Sequence, residues 1–553
     1  MKTYGRLEFD RMASRWRITD LAPHVAIAFK RLFPRVPVTS TDIAISDTDE
    51  VRADLHWFMA RYPLDHDEWG ELDEAVDRIA WRAAERERIL LPTWTPGETP
   101  GFREGKSPYL YQAQAAKIAV ANGGLLLGDD VGLGKTISEI TALLTGAPLP
   151  AAIVVQPHLA GQWAAKFEEF CLLRVHVIKG RTPYDLPTAD VYIFRYTNII
   201  GWMDLFKNGL FRSVAYDEVQ ELRHGCVTSK GMAARLLSEK AEFRMGLTAT
   251  PVYNYGDEMH SVMGFIKPDL LGNRDEFIRE WCGMGRVVKN PDALGAYLRD
   301  TGWFLRRTED DPTVDASMPP PNILDWEIDY DLAAVAGEEE ITRQLARTVL
   351  SGNFTEAGRA ARELDMKMRQ LTGIAKARAV AAYVALLLKD SERVLLAGWH
   401  REVYDIWKAA LEPYNPTLYT GSESAAGKAR SVEAFTRGDS RVMMMSLRSG
   451  AGLDGLQYYC NDAVVGELDW SPQVHYQFFG RLRRPGQQKQ VNGHYLHTNW
   501  GSDPVILEML GIKADQSRGI NDPGAAAKPR TTDESRIKML AEHVLSRDLR
   551  RSC

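Results

Sequence analysis

The first half of the chain alternates short apolar segments with amphipathic ones. AAIVVQP, ADVYIFRY and SVAYDEVQ have the continuous apolar character of buried strands, while HLAGQWAAKFEEF repeats its apolar residues at helical spacing. LLLG and the residues leading into GLTATP add two further strand patterns. Strands that alternate with helices indicate a parallel sheet covered by helices. The pattern therefore predicts an α/β lobe over residues 105–330.

A second alternating region begins near residue 371. ERVLLAGW and RVMMMS predict buried strands, and we interpret Met443–Met445 as core packing. Residues 331–370 are rich in polar residues at helical spacing, which predicts a helical bridge. A second α/β lobe is therefore expected over residues 371–510, followed by a polar tail, 511–553, that contains a short helical stretch.

The first 100 residues have a different pattern. GRLEFD and SRWRIT alternate at strand spacing and helical stretches follow, so we predict a small α+β accessory domain over residues 1–100. A Pro- and Gly-rich segment, Leu91–Pro108, predicts a linker. The basic residues in the segments around Trp16 and after it have two interpretations. They could contact the phosphate backbone of a nucleic acid, or they could be solvated side chains beside a buried tryptophan. They are Arg15, Arg17, Lys30, Arg31 and Arg35.

Composition narrows the class of protein. The 553 residues are 45% hydrophobic and 26% charged with a formal net charge of −6, so any nucleic-acid contact has to come from local basic clusters. The five cysteines include no C-x-x-C pair, which argues against a zinc site or a disulfide framework and favours a reduced, cytoplasmic location. No run approaches the roughly 20 apolar residues of a spanning helix, so we expect a soluble protein without a membrane partner.

The segment LLLGDDVGLGKT predicts a strand, a phosphate-binding loop and the start of a helix. Gly132 and Gly134 allow backbone N–H groups to line an anion nest, Lys135 is placed to reach the β- and γ-phosphates, and Thr136 can ligate Mg²⁺. Asp129 stands where the full motif has its first glycine, which leaves a chance match or a loop without hydrolysis as alternatives. The favoured prediction is a site for a nucleoside triphosphate.

Two acidic residues end one of the predicted strands. Asp217 is suited to hold Mg²⁺ and Glu218 to polarise the attacking water, because open α/β sheets carry their chemistry at the carboxyl ends of strands. A solvated acidic turn is the alternative. Thr248 and Thr250 end another strand, where their hydroxyls can couple the acidic pair to the state of the γ-phosphate.

Two further segments complete the predicted nucleotide site. Tyr111 and Gln112, upstream of the phosphate loop, offer an aromatic ring and a carboxamide for an adenine. Near the end of the second lobe, Gln477, Arg481 and Arg484 belong to a Q-x-x-G-R-x-x-R pattern, which we place on one helix. Arginines spaced in this way can act as fingers on a γ-phosphate, with effects on rate of roughly 10³ to 10⁵, or can form a basic surface.

The order GDDVGLGKT, DEVQ, LTATP resembles motifs I, II and III of superfamily-two helicases, in particular the Snf-type double-stranded-DNA translocases. WFLRRTEDDPTVDASMPPP resembles that branch's LRR segment, and the pair at Tyr111 resembles its nucleotide-capping Q motif. RVMMMSLRSGAGLDGLQ is similar to motif V, and its matching residues are Ser446, Gly450, Gly452 and Asp454, the last of these expected at the nucleotide. Gln220 departs from the family's usual histidine, which puts its coupling role in doubt.

The resemblance implies two RecA-like lobes of the P-loop type, ATP and Mg²⁺ as cofactors, and a monomeric phage or bacterial motor that moves on double-stranded or branched DNA. FDRMASRWRI, Phe9–Ile18, is weakly similar to the HARP module of annealing helicases, which adds junction DNA as a substrate. A strand-separating DNA or RNA helicase shares every motif named above. An ATP-gated clamp that binds DNA without moving is the alternative from another class.

Overall fold

The computed structural model describes most of the chain, and its described residues divide into two compact units with the boundary after Val314. The described residues are 3–66, 69–91, 93–130, 132–249, 257–282, 287–308, 311, 314, 321–351, 354–447, 453, 455–484, 486–508, 510 and 539–545. Because the units are separate bodies, each is described by itself.

The first unit begins with a small antiparallel sheet and three helices, which we call the N-terminal module. Its elements are β1 (Arg6–Asp10), β2 (Arg15–Thr19), α1 (Pro23–Leu32), β3 (Ile43–Ser46), α2 (Asp49–Arg61) and α3 (Trp69–Leu90). The strand order is β1-β2-β3, and the alternation of Trp16 and Ile18 places both side chains in the core with Phe29 and Phe58.

The remainder of the first unit is a parallel α/β lobe. Its elements are α4 (Leu110–Asn122), β4 (Gly124–Leu127), α5 (Lys135–Thr145), β5 (Ala151–Val155), α6 (Ala160–Phe170), β6 (Val175–Val177), β7 (Val191–Arg195), α7 (Met203–Lys207), β8 (Ser213–Asp217), α8 (Ser229–Lys240), β9 (Phe243–Leu247), α9 (Glu258–Ile266), α10 (Arg274–Trp281), α11 (Pro291–Asp300) and β10 (Phe304–Leu305). The strand order is β10-β4-β9-β8-β5-β7-β6, and every pairing is parallel.

The module is joined to this lobe by charged and apolar contacts. Arg15 forms an ion pair with Glu276, and Arg35 Nε lies 2.6 Å from the Oε2 of Glu280, both on α10. Ile89, near the end of α3, is fully buried in the core of the lobe. Two of the basic residues flanking Trp16 in the sequence analysis therefore serve as structural ties.

The second unit is another parallel lobe. Its elements are β11 (Asn322–Glu327), α12 (Glu339–Ser351), α13 (Phe354–Leu387), β12 (Val394–Gly398), α14 (Arg401–Ala410), β13 (Thr417–Tyr419), α15 (Ala425–Arg437), β14 (Val442–Ser446), β15 (Asp462–Val465), α16 (Pro472–Phe479) and β16 (Asn492–His497). The strand order is β11-β16-β15-β12-β14-β13, again entirely parallel. Met443–Met445 are fully buried, as core packing requires.

The polar tail contributes to this second core, a role that the sequence did not suggest. Within the helical segment 539–545, Leu540 and Ala541 are fully buried against the apolar residues of the lobe. Together the two parallel sheets and the small antiparallel sheet confirm the predicted fold class. No described helix combines the length and the apolar character needed to cross a membrane. The predicted domain boundaries stay predictions.

Candidate nucleotide site

Three strands of the first lobe end side by side where the predicted site residues lie. Leu127 at the end of β4 pairs with Leu247 at the end of β9, and Leu247 pairs with Asp217 at the end of β8. The phosphate loop, Thr248 and the acidic pair therefore leave the same edge of the sheet. In an open α/β sheet this carboxyl edge is where ligands bind.

The loop after β4 turns on two glycines with left-handed backbone. Gly132 has φ +92° and Gly134 has φ +68°, values that L-residues with a Cβ rarely adopt. A Cβ added at Gly134 would also lie 2.5 Å from the Nε2 of Gln112. The loop then enters α5 directly at Lys135, so the free N–H groups of a helix start face the phosphate position.

The ammonium of Lys135 is held inside this loop. Its Nζ donates to the carbonyl oxygens of Asp129 (2.7 Å) and Asp130 (3.1 Å). Burial lowers the pKa of Lys135, and the nearby carboxylates of Glu218, Asp129, Asp130 and Asp217 oppose that shift. The lysine of the loop and the acidic pair of β8 are therefore electrostatic neighbours within one unit.

Asp129, the departure from the full loop motif, has a structural partner. Its carboxylate Oδ1 accepts hydrogen bonds from the backbone N (3.0 Å) and Nε (3.1 Å) of Arg307, and both side chains are buried. The neighbouring residues form a second ion pair, in which Arg306 Nη2 lies 2.8 Å from the Oδ1 of Asp130. The two aspartates therefore tie the phosphate loop to the segment after β10.

Tyr111 and Gln112 lie beside the loop in buried positions. The ring of Tyr111 packs under the Arg307 guanidinium, whose carbon lies 5.3 Å from the ring centroid. Gln112 Oε1 accepts from the backbone N of Tyr109, and its Nε2 donates to the carbonyl oxygen of Leu133 at 3.0 Å. Tyr109 rather than Tyr111 exposes its ring, with 52% of its surface free. The predicted adenine contacts of Tyr111 and Gln112 stay predictions.

The acidic pair has distinct surroundings for each member. Asp217 is half-buried, its Oδ2 accepts from Trp163 Nε1 at 2.8 Å, and its carbonyl oxygen accepts from Tyr196 Oη at 2.9 Å. Burial and the charge of Glu218 raise the pKa of Asp217. Trp163 was missed at the sequence level because its helix showed only amphipathic spacing.

Glu218 sits in a strained backbone position with its side chain held locally. Its φ is +52°, the left-handed region that non-glycine residues seldom occupy and that often marks functional sites. Gln220 Nε2 donates to the Oε2 of Glu218 at 2.5 Å, while the buried Oε1 of Gln220 has no hydrogen-bond partner in the described structure. Thr248 is fully buried at the end of β9. Gln220 therefore holds the carboxylate of Glu218, whose role as the base stays a prediction.

The second unit places the predicted arginines differently from the sequence prediction. Helix α16 ends at Phe479, so Gln477 is helical whereas Arg481 and Arg484 lie in the turns that follow. The prediction of one continuous helix was wrong, because Gly480 is a poor helix former and a proline after Arg484 disfavours helical backbone there. Gly486, with φ +93°, completes the turn.

Arg481 is buried in this turn. Its Nε has no hydrogen-bond partner among the described residues, and Arg484 Nε donates to the carbonyl oxygen of Gly480 at 3.2 Å. Burial, reinforced by the charge of Arg484, lowers the pKa of Arg481 to about 9. Ser446, the first motif V residue, is buried at the end of β14. Thr250, Gly450, Gly452 and Asp454 lie outside the described residues.

The comparison with protein families gives a domain match. A model described as "SNF2-related domain" matches residues 52–324. The chain carries an SNF2-related domain. This match confirms the predicted Snf-type resemblance.

Individual relatives of the SNF2-related chain differ in length. The human DNA annealing helicase and endonuclease ZRANB3 is 27% identical over 426 residues, covering 71% of this chain and 38% of that protein. The uncharacterized ATP-dependent helicase YqhH of Bacillus subtilis is 22% identical over 470 residues, covering 76% and 81%. The chain thus spans about two fifths of ZRANB3 and most of YqhH.

A search of solved structures gives the SWI2/SNF2 ATPase core of Sulfolobus solfataricus in complex with dsDNA. It is 19% identical, covers 77% of this chain and 96% of that chain, and has a TM-score of 0.38. The assignment of the fold rests on the two parallel sheets described above.

Proposed function

We propose that this chain couples ATP hydrolysis to translocation on double-stranded or branched DNA. The observation that carries the proposal is the cluster at the carboxyl edge of the first sheet. Lys135 lies among four carboxylates there, including the acidic pair of β8. Such a cluster suits a phosphoryl group whose transfer needs positioning and charge stabilisation more than covalent chemistry.

Each residue has a role in this scheme. The loop amides and Lys135 bind the phosphates, while Glu218, oriented by Gln220, accepts a proton from the attacking water. Thr136 and Asp217 would hold Mg²⁺. These two residues fit a magnesium ion. Burial and the neighbouring Glu218 raise the pKa of Asp217, which means that its ionised form is disfavoured, and a bound cation would stabilise that form. Bound Mg²⁺ would supply charge neutralisation at the phosphate oxygens.

DNA as the track is supported by the relatives. ZRANB3 is named an annealing helicase for DNA, and the Sulfolobus core was solved with dsDNA. We extend the proposal to forked or junction DNA, to a monomeric protein, and to a cytoplasmic location. The described cysteines Cys171, Cys226, Cys282 and Cys460 are all free thiols, which suits a reducing compartment.

The test is ATP turnover measured against blunt duplex, forked duplex, single-stranded DNA and single-stranded RNA, with a strand-displacement assay on the same substrates. We expect duplex or forked DNA to stimulate turnover most, to do so without sequence preference, and to lose this effect as salt rises. Lys135→Ala should abolish turnover with every substrate, because the transferring phosphoryl group loses its main cation. Gel filtration of this variant should match the wild type.

Two outcomes would replace the proposal. Strongest stimulation by RNA, or efficient separation of a plain duplex, would favour the strand-separating helicase. ATP-dependent DNA binding without any DNA-stimulated turnover would favour the gated clamp.

A further inference from the structure

The N-terminal module carries a groove that the nucleotide site does not use. It lies between α1 and the end of α2 and has a volume of about 290 Å³. Its walls include Arg31 and Leu32 from α1, and Trp57, Arg61 and Tyr62 from α2 and the residue after it. The groove therefore combines apolar surface with two guanidinium groups.

Trp57 is the unusual residue in this groove. Helix α2 buries Leu55, Phe58 and Met59 in the module core but leaves Trp57 63% exposed. By contrast, Trp16 on β2 is fully buried in the core of the module. Aromatic side chains contribute most to stability when buried, so an indole that lines an open groove is available to a flat ligand.

The two arginines are free of ion pairs within the described part of the chain. The other basic residues nearby are occupied: Arg35 pairs with Glu280, Arg52 pairs with Asp47 at 2.7 Å, and Lys30 donates to a backbone carbonyl at 2.7 Å. By contrast, no described carboxylate pairs with Arg31 or Arg61. The guanidinium carbon of Arg61 lies 5.7 Å from the centroid of the Tyr62 ring, which also lines the groove.

Nearby carboxylates of α3 face a different side of α2. Asp73 lies 3.1 Å from His56 Nε2, and Glu71 lies 3.3 Å from the Nη2 of Arg52. His56 and Arg52 share a helix face because they are four residues apart, and that face turns away from Trp57 and Arg61. On α2 itself the carboxylate of Asp54 interacts with Arg35, and the described residues that line the groove include no acid. The groove consequently presents positive charge next to an aromatic surface.

We infer that this groove binds single-stranded DNA, with a base stacked on Trp57 and backbone phosphates at Arg31 and Arg61. An aromatic platform flanked by cations is how proteins hold unpaired bases without reading their sequence. The volume is at the lower end of the roughly 300–1,000 Å³ of small-molecule pockets, which suits one or two nucleotides rather than a partner helix. Blunt duplex DNA, whose bases are stacked internally, cannot use Trp57.

The inference rests on the proposed function for its nucleic acid, forked or junction DNA. It adds the part of the fold that would hold the unpaired strand while the lobes act on the duplex. It concerns binding without ATP, so it can fail or hold independently of the motor.

The test measures anisotropy of a labelled oligothymidine, a blunt duplex and a fork on the full chain without nucleotide. Trp57→Ala should weaken binding of oligothymidine and fork roughly 5- to 100-fold and leave the blunt duplex unchanged. Trp57→Phe should restore most of the affinity. Arg31→Gln combined with Arg61→Gln should reduce the slope of log affinity against log salt by about 1.4.

Matched controls come from the same module. Trp81 on α3 is 55% exposed but outside the groove, and Arg17 on β2 is exposed and pairs weakly with Asp10 at 3.5 Å. Trp81→Ala and Arg17→Gln should leave oligothymidine binding at the wild-type level. Equal losses in these controls, equal losses for the blunt duplex, or tighter binding of oligouridine or polyglutamate than of oligothymidine would overturn the inference.

The two proposals separate in the same experiment. Lys135→Ala should bind oligothymidine as the wild type does, because the groove lies outside the nucleotide site. If DNA fails to stimulate wild-type turnover while Trp57→Ala still loses oligothymidine, the motor proposal fails and the groove stands.

Discussion

The two units treat their buried arginines in opposite ways. In the first, Arg307 is enclosed with the carboxylate of Asp129, so its charge is satisfied within the fold. In the second, Arg481 is buried to a similar degree, yet no described carboxylate pairs with it and its pKa falls to about 9. A paired buried arginine is a structural tie, whereas an unpaired one retains a charge that an anion can satisfy.

The largest effect is expected for the arginines of the second unit. Arg481→Ala and Arg484→Ala should each lower ATP turnover by roughly 10³-fold or more with a much smaller change in KM, if these arginines act as fingers in the transition state. Arg481→Ala should cost little stability, since it removes a charge that folding disfavours. Steady-state kinetics and calorimetry measure both.

Arg437 offers the control, because it is exposed on α15 and paired with Glu433. Arg437→Ala should change neither quantity. Wild-type turnover in Arg481→Ala would reduce the buried charge to a packing feature and break the comparison.

The next effect concerns Glu218 in the first unit, whose carboxylate accepts a hydrogen bond from Gln220. Glu218→Gln should lower turnover roughly 10²- to 10⁴-fold, because an amide cannot accept the proton of the attacking water, while ATP affinity is retained. Single-turnover rates measure the loss of hydrolysis, and a nucleotide-binding assay measures whether ATP affinity is retained. Glu221→Gln nearby, which loses only its ion pair with Lys230, should remain close to wild type. Loss of ATP binding in Glu218→Gln would make Glu218 a structural residue.

For the Arg307–Asp129 pair of the first unit we expect a loss of stability instead of a loss of turnover. Arg307→Ala leaves the Asp129 carboxylate buried without its partner, which should destabilise the first unit by roughly 3–5 kcal/mol. Arg307→Met combined with Asp129→Ala should recover much of this loss, because no charge remains buried. Calorimetry of both variants provides the measurement. Equal destabilisation by the double variant would show that the pair stabilises through packing alone.

The smallest effect comes from a buried histidine on α16. Burial lowers the pKa of His475 to about 4, and its Nε2 accepts from the backbone N of Asp469. In the unfolded chain the pKa of a histidine is about 6.5. Between pH 6.5 and pH 4 the unfolded state therefore binds more protons than the folded state, and the free energy of unfolding falls as the pH falls. We expect the loss to be roughly 2 kcal/mol between pH 7 and pH 5. Urea unfolding should show a flatter pH profile for His475→Gln, and an identical profile would contradict the prediction.

Local spacing was sufficient to predict much of the first lobe. The strands that end at Leu127, Asp217 and Leu247 are short and mostly apolar, and the glycines of the phosphate loop have a fixed spacing from Lys135. Both signals lie within a few residues along the chain, and the parallel order of the sheet follows from alternating strands and helices.

Contacts between residues that are far apart in the sequence could not be predicted from local patterns. Asp129 and Arg307 are 178 positions apart, so nothing local identified Asp129 as a tie. Arg481 and Arg484 were placed on a helix because their spacing fits one, but the glycine and proline around them end it. Trp16 and Trp57 look alike in sequence, and only the direction of each side chain relative to the module core distinguishes the buried ring from the exposed one.

The burial of Ile89 has a consequence for how such proteins diversify. Because the last turn of α3 fills the core of the first lobe, and Gln114 donates to the Ile89 carbonyl at 2.8 Å, the module cannot be exchanged for another at residue 100 without opening a hole in the lobe. The helix and the lobe have to be inherited as one piece. A segment exchanged upstream of α3 would bring its own sheet, but it would also have to supply partners for Glu276 and Glu280 on α10 and cover Leu72 on α3.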